Sequence, residues 1–125
     1  MINPKIIVRG GGDLATGVVH RLWSAGFKVL VLESAQPAAI RRQVALCEAV
    51  YQGEATVEGM TGVLIHSLAE AHSVWEAGRV PVLVDETCAC AVELQPDILI
   101  DAIIAKRNLG TKRSLAALTI ALGPG

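Results

Sequence analysis

Lys5-Ile6-Ile7-Val8-Arg9-Gly10-Gly11-Gly12-Asp13-Leu14-Ala15-Thr16-Gly17 is the stretch on which the fold turns. Ile6 to Val8 read as a short buried strand that breaks into three glycines and then opens a helix near Asp13. Gly10 permits a tight turn at backbone angles that side chains disfavour. Gly12 lets a phosphate come close to the main chain, and the helix beyond it aims free N–H groups and the positive end of its dipole at that anion. Gly10-x-Gly12-x-x-Ala15 fits the dinucleotide fingerprint, with alanine in the third small position. Gly10, Gly11, Gly12, Asp13, Leu14, Ala15, Thr16 and Gly17 are therefore the candidate ligand-binding turn. The competing reading is a turn whose glycines serve packing alone. Asp13 adds a caution, because an acid inside the loop repels a pyrophosphate and suits the helix N-cap instead.

The flanking chain supplies the context the fingerprint needs. A helix over 13 to 25 places Leu14, Val18 and Leu22 on one stripe and Ala15 and Val19 on the next row, with His20, Arg21 and Ser24 facing away. Gly26 followed by Phe27 is a C-terminal stop. Gly17 inside that helix costs about 1 kcal/mol relative to alanine. Either helix and strand approach closely there, or the backbone lies near a ligand. Lys28 to Leu32 form the second strand and Glu33 ends it, about 20 residues beyond the glycines, where an acid reaches a ribose hydroxyl. A short second helix over 34 to 43 begins at Pro37. Within it, Arg41 and Arg42 either clasp a phosphate, such as the 2′-phosphate of a phosphorylated dinucleotide, or form a solvated helix face.

Further along, 44 to 51 reads as a strand or as the end of that second helix, with the Gln52-Gly53 turn favouring the strand, and 54 to 60 as an edge strand. Val63 to Ile65 is a third buried strand. Ser67-Leu68-Ala69-Glu70 is a capping box, after which Leu68, Ala71 and Trp75 mark a buried face and Gly78 closes the helix. His66 and His72 read as surface or capping residues rather than metal ligands. Val80 to Val84 is a fourth strand, and Asp85 at its carboxyl end is either a second polar contact for a ligand or a helix cap. Cys88-Ala89-Cys90 has no second cysteine pair to complete a zinc site and reads as buried small side chains. The stretch 97 to 104 is apolar on both faces, as in a central parallel strand. Asp101 within it must be paired, hydrogen-bonded or at the open strand edge, because an isolated buried charge is costly. Lys106, Arg107 and Asn108 then either bind an anion or neutralise Asp101. One more strand spans 115 to 122.

Composition excludes several classes. At 125 residues the chain is a single domain, 52% hydrophobic and 18% charged, with a net charge of −1 and only 3% aromatic residues. Nucleic acid is not an expected partner, since binding it calls for a basic face and stacking rings. The start lacks the basic and apolar regions of a secretory signal, and no apolar run approaches a membrane span, so a cytoplasmic protein is expected. Three cysteines without an export signal point to reduced thiols.

Arg-Gly-Gly-Gly-Asp-Leu-Ala-Thr-Gly (9 to 17), Gln-Pro with Ile-Arg-Arg (36 to 42), Glu-Ala-Val-Tyr (48 to 51), Asp-Ala-Ile-Ile-Ala-Lys-Arg-Asn-Leu-Gly-Thr (101 to 111) and Leu-Gly-Pro-Gly (122 to 125) together resemble the YqeB-type accessory proteins of selenium-dependent molybdenum hydroxylases. The resemblance runs along essentially the whole chain, and the 101 to 111 stretch is its most distinctive part. It implies an accessory or maturation role for such a hydroxylase, and an outline similar to XdhC-type chaperones with their Rossmann-like domain. It also implies members about twice as long, of which this chain is the N-terminal half. Cys-Ala-Cys is not part of that family's pattern.

The expected architecture is α/β, Rossmann-like, with a mainly parallel sheet flanked by helices. The expected ligand is a small nucleotide-type molecule, either NAD(P) or the dinucleotide form of molybdopterin, held at the Gly10 to Gly17 turn with Asp85, Asp101 and Lys106 to Asn108 across the crevice. A molybdenum hydroxylase and a second copy of the chain are the candidate protein partners. Two competitors remain open: an NAD(P)-dependent oxidoreductase, for which no Tyr-x-x-x-Lys pattern is present, and a non-catalytic interaction module.

Overall fold

The computed structural model of the chain describes residues 4–10, 12–35, 45–102 and 118–121. Its elements are β1 (Lys5–Arg9), α1 (Asp13–Ser24), β2 (Lys28–Glu33), α2 (Ala49–Gln52), β3 (Glu54–Val57), β4 (Met60–Ile65), α3 (Ala71–Glu76), β5 (Val80–Val84), α4 (Ala91–Leu94), β6 (Ile98–Asp101) and β7 (Leu118–Ala121). Short 3-10 turns, Leu46–Glu48 and Leu68–Glu70, lead into α2 and α3. The strands form one sheet in the order β3-β4-β5-β2-β1-β6-β7. Every pairing is parallel except the β3–β4 hairpin. The fold is the expected α/β, Rossmann-like arrangement.

Parallel strands are covered on both faces, so their residues are buried whichever way they point. The alternation of β1 sorts its side chains between two cores. Ile6 and Val8 join Ala15 and Val19 of α1, with Val29, Val31, Leu46 and Ala49, on one face. Ile7 joins Leu30, Leu32 and Leu99, covered by Ala71, Cys88 and Ala91, on the other. Truncating one such fully buried leucine to alanine costs about 2–5 kcal/mol, several times what any single cap contributes. The two-sided burial of β1 and β2 is thus the main support of the turn that joins β1 to α1.

Several local expectations are met. Gly26 is left-handed (φ +93°). Its N–H donates to the Trp23 carbonyl at 3.0 Å, and the Phe27 N–H donates to the Leu22 carbonyl at 3.1 Å, which together make a Schellman stop. Ser67 and Glu70 form the reciprocal capping box. The edge strand is β3, joined to β4 through Glu58 and Gly59, both left-handed (φ 48° and 82°). Asp101 lies in β6, flanked by parallel neighbours on both sides.

Other expectations are corrected. The stretch read as a strand over 44 to 51 is a 3-10 turn running into α2 where it is described. Ala45, Leu46, Cys47 and Ala49 are all fully buried, and the winding brings Leu46 and Ala49, three residues apart, into the same core as Ala15 and Val19. The Leu46 N–H donates to the Thr16 hydroxyl at 2.9 Å, so α1 anchors this turn. On α1 the core-facing row is Ala15 and Val19, with Val18 and Leu22 beside them. Leu14, expected on the buried stripe, is 49% exposed. The helix read over 34 to 43 lies almost wholly outside the described residues, as do 103 and 104 at the end of the long apolar stretch. Among the described residues no helix is long and apolar enough to cross a membrane.

Candidate functional site

After β1 the chain lays β2 beside it, jumps to the outer edge with β3, works back inward through β4 and β5, and then crosses to place β6 on the opposite side of β1. The carboxyl ends of β1 and β6 therefore frame the point where the strand order reverses, which is where open α/β sheets collect ligands. The glycine turn sits there. Gly10 has φ +102°, the left-handed region that favours glycine, and its N–H donates to the Leu32 carbonyl at 2.6 Å. Gly12 is the N-cap of α1 in an extended conformation (φ −75°, ψ −170°), and its carbonyl accepts the Thr16 N–H at 2.8 Å.

Asp13 is the first helical residue and not the N-cap, so the capping role expected for it is corrected. Glycine at the cap brings no side-chain oxygen to the free amides of the first turn. The backbone at Gly12 does not require glycine, and a Cβ added there meets no described atom within 4 Å. Ala15 is 1% exposed against the sheet, as the third small position of the fingerprint demands. Thr16 is buried with its hydroxyl engaged by Leu46, which gives it a structural task. Gly17 is exposed, and a Cβ there also meets no described atom within 4 Å, so contact with the described strands does not account for it.

Glu33 closes β2, the strand next to β1, one residue past the carbonyl that holds Gly10. It is half-buried, and its Oε1 accepts the Ser34 N–H at 2.8 Å. Gly10, Gly12 and Glu33 are thus gathered at one edge of the sheet. Gly11, Arg41, Arg42, Lys106, Arg107 and Asn108 lie outside the described residues.

Asp85, beyond β5, behaves as a cap. Its carboxylate accepts the Ala89 N–H at 3.1 Å and the Cys90 N–H at 2.8 Å. Burial opposes its charge, but these hydrogen bonds outweigh burial and hold the carboxyl below its usual range. Cys88 is buried and left-handed (φ 60°), with its thiol pushed up by burial. Burial, helped by Asp85, also raises the thiol of half-buried Cys90. Both sulfurs are held protonated, the form least suited to nucleophilic attack. His66 is exposed, and His72 meets Glu76 at 2.9 Å on the surface of α3.

Asp101 is answered by Arg9, a residue not expected at the site. The two stand opposite each other in the β1–β6 register. Their charged groups are 4.0 Å apart, with side chains 1% (Arg9) and 14% (Asp101) exposed. Arg9 also donates to the Glu86 carbonyl at 2.7 Å, tying the β5–α4 connection to the crevice. The signal was a charge just before the glycines in a buried strand, matched by a charge ending a second buried strand. On the β2 flank, a cleft of about 270 Å³ opens at the carboxyl ends of β4 and β5, lined by Ala35, Val50, Leu64, Ile65, His66, Leu83 and Val84.

No family model and no solved structure matches the chain. It is 52% identical over 120 residues to the uncharacterized protein YqeB of Escherichia coli (strain K12). The match covers 96% of this chain and 22% of that protein, a smaller share than the half that the resemblance implied.

Proposed function

We propose that this chain binds a nucleotide or dinucleotide-type ligand at the glycine turn, and serves as an accessory or maturation component for a selenium-dependent molybdenum hydroxylase. The second part rests on the resemblance of its motifs to that accessory family, alongside its similarity to the E. coli protein. The first part rests chiefly on Gly12. Its backbone is extended, and among the described residues no atom comes within 4 Å of a Cβ placed there, so these residues give no internal reason for glycine. The fingerprint gives an external one, the approach of a pyrophosphate to the main chain at the start of a twelve-residue helix. Glu33 on the neighbouring strand stands where a ribose hydroxyl is met. NAD(P) and a molybdopterin dinucleotide satisfy this geometry equally, because the shared pyrophosphate meets the same amides.

A thermal-shift panel with NAD, NADP, FAD, ATP, CTP and GMP tests the reading. A ligand present at a hundredfold excess over its Kd adds about 2.7 kcal/mol to the folded form, a readily measured rise in Tm. Gly12→Val is expected to remove the response. A flat panel favours the interaction module instead. A response to NADP alone that is lost in the Arg41→Ala/Arg42→Ala double variant favours the oxidoreductase.

A further inference from the structure

We infer that Asp101 is a specificity-determining residue of the glycine turn: its carboxylate offsets the buried charge of Arg9 and so holds the turn to phosphate ligands of low charge. The inference rests on the nucleotide reading above and adds which phosphates the turn accepts. The placement of the two residues carries it. Arg9 directly precedes Gly10, and its backbone carbonyl accepts the Ala102 N–H at 2.9 Å. Asp101 is its register partner in β6. With strands about 4.8 Å apart and successive Cα atoms about 3.8 Å apart, the Asp101 backbone lies within about 9 Å of Gly10. An anion at the turn is therefore within electrostatic reach of both charges.

The two charges act on that anion with opposite sign and little screening. The Arg9 side chain is 1% exposed and that of Asp101 14%, so water and salt damp them far less than surface charges. Their charged groups stand 4.0 Å apart, and Arg9 Nη2 donates to the Glu86 carbonyl at 2.7 Å. The pair thus acts as two separated charges rather than one neutral unit. Buried Cys88 registers both of them. Burial is the main cause of its raised thiol; the Arg9 guanidinium opposes that rise, while Asp85 and Asp101 add to it. Without Asp101, the charge of Arg9 would favour every additional negative charge on a ligand. With it, the attraction falls chiefly to the amides of the first turn of α1, and Asp13, opening that helix, brings a further acidic residue to the turn. A pyrophosphate esterified on both sides, with one charge per phosphate, suits these conditions better than a chain ending in a free phosphate.

Calorimetric titration with inorganic pyrophosphate and with NAD⁺ tests the assignment, because pyrophosphate carries the larger negative charge. Asp101→Asn keeps the shape of the side chain and removes its charge, and Arg9→Met removes the opposite one. At an effective dielectric of about 20, a unit charge about 9 Å from another changes an affinity by on the order of tenfold. Asp101→Asn is therefore expected to bind pyrophosphate about tenfold more tightly and NAD⁺ with a smaller gain, whereas Arg9→Met weakens both, pyrophosphate the more. A pair that only held the strands together would give losses in both variants without regard to ligand charge. Weaker or unchanged pyrophosphate binding by folded Asp101→Asn, or an equal gain for NAD⁺, overturns the inference and leaves the turn as the phosphate site. If Asp101→Asn does not fold, Arg9→Met decides, since it leaves only a carboxylate that reaches water. A larger loss for pyrophosphate than for NAD⁺ then upholds the inference, and equal losses overturn it. Binding of neither probe by the wild type or by Asp101→Asn removes the nucleotide reading and this inference together.

Discussion

Arg9 is 1% exposed while its partner Asp101 keeps 14% of its side chain in contact with solvent, and that asymmetry decides which of the two is costlier to remove. Asp101→Ala takes away the carboxylate facing a buried guanidinium and is expected to cost about 3 kcal/mol. Arg9→Met leaves behind a carboxylate that can reach water and replaces the charge with an apolar chain, so it should cost clearly less. Urea denaturation of the two variants gives the comparison; equal losses would show that the pair is not the main constraint on either residue. Gly17 allows a second measurement. No described atom lies within 4 Å of its Cβ position, so Gly17→Ala should raise stability by about 1 kcal/mol from helix propensity alone. If the same substitution also weakens nucleotide binding, the ligand passes over the helix backbone at that point. The need for a partner at Asp101 was legible from its place in an apolar strand. The identity of that partner was not, because the Arg9–Asp101 contact exists only once β1 and β6 lie side by side.

Among the elements, the connection into α3 responds to acid. The Glu70 carboxyl sits below its ordinary 4.5 because the His66 and Ser67 N–H groups donate to it. A depressed folded-state value stabilises above the unfolded value and loses that contribution as pH falls through the folded one. Glu70→Gln should therefore destabilise at pH 7, and the difference from wild type should shrink as the pH is taken below 4.5, as followed by denaturation at each pH. Glu58 presents a different case. With Gly59 it forms a two-residue hairpin loop in which both residues have positive φ, the geometry that favours Asn-Gly. Glu58→Asn is expected to gain about 0.5 to 1 kcal/mol, read from a shift in the urea midpoint. The missing asparagine is also why 54 to 60 was hard to read as a hairpin, whereas Ser67-x-x-Glu70 declared its helix start without ambiguity. The 44 to 51 stretch misled for another reason. Its apolar residues lacked a clear period, and their winding depends on the Thr16 hydroxyl of α1 and on the face presented by β4.

For the molecule as a whole, stability is expected to fall from the centre of the sheet outward. β1 is paired on both sides along its length and buried on both faces, while β3 is a four-residue outer strand with half of its residues exposed. Hydrogen-exchange mass spectrometry should find the slowest amides in β1 and β2 and fast ones in β3. Addition of a nucleotide that raises Tm should slow exchange in peptides covering 12 to 17 and 33 to 35, with β3 unchanged. Protection confined to β3 would put the ligand far from the crevice. The parallel class of the sheet was readable from short apolar strands alternating with helical patterns. The strand order was not, since nothing local in the 98 to 101 stretch says that it lies beside β1 rather than beyond β5.

The outer rim has one more bearing, on how the molecule tolerates crowding with its own kind. Four residues offer an approaching strand few backbone bonds, and the strand begins with Glu54, whose carboxylate is held by Arg79 at 3.0 Å. A second molecule trying to prolong the sheet from this side would have to displace that ion pair or pack against its two charges. Runaway fibre growth is thereby discouraged at the flank where an otherwise open ladder would invite it.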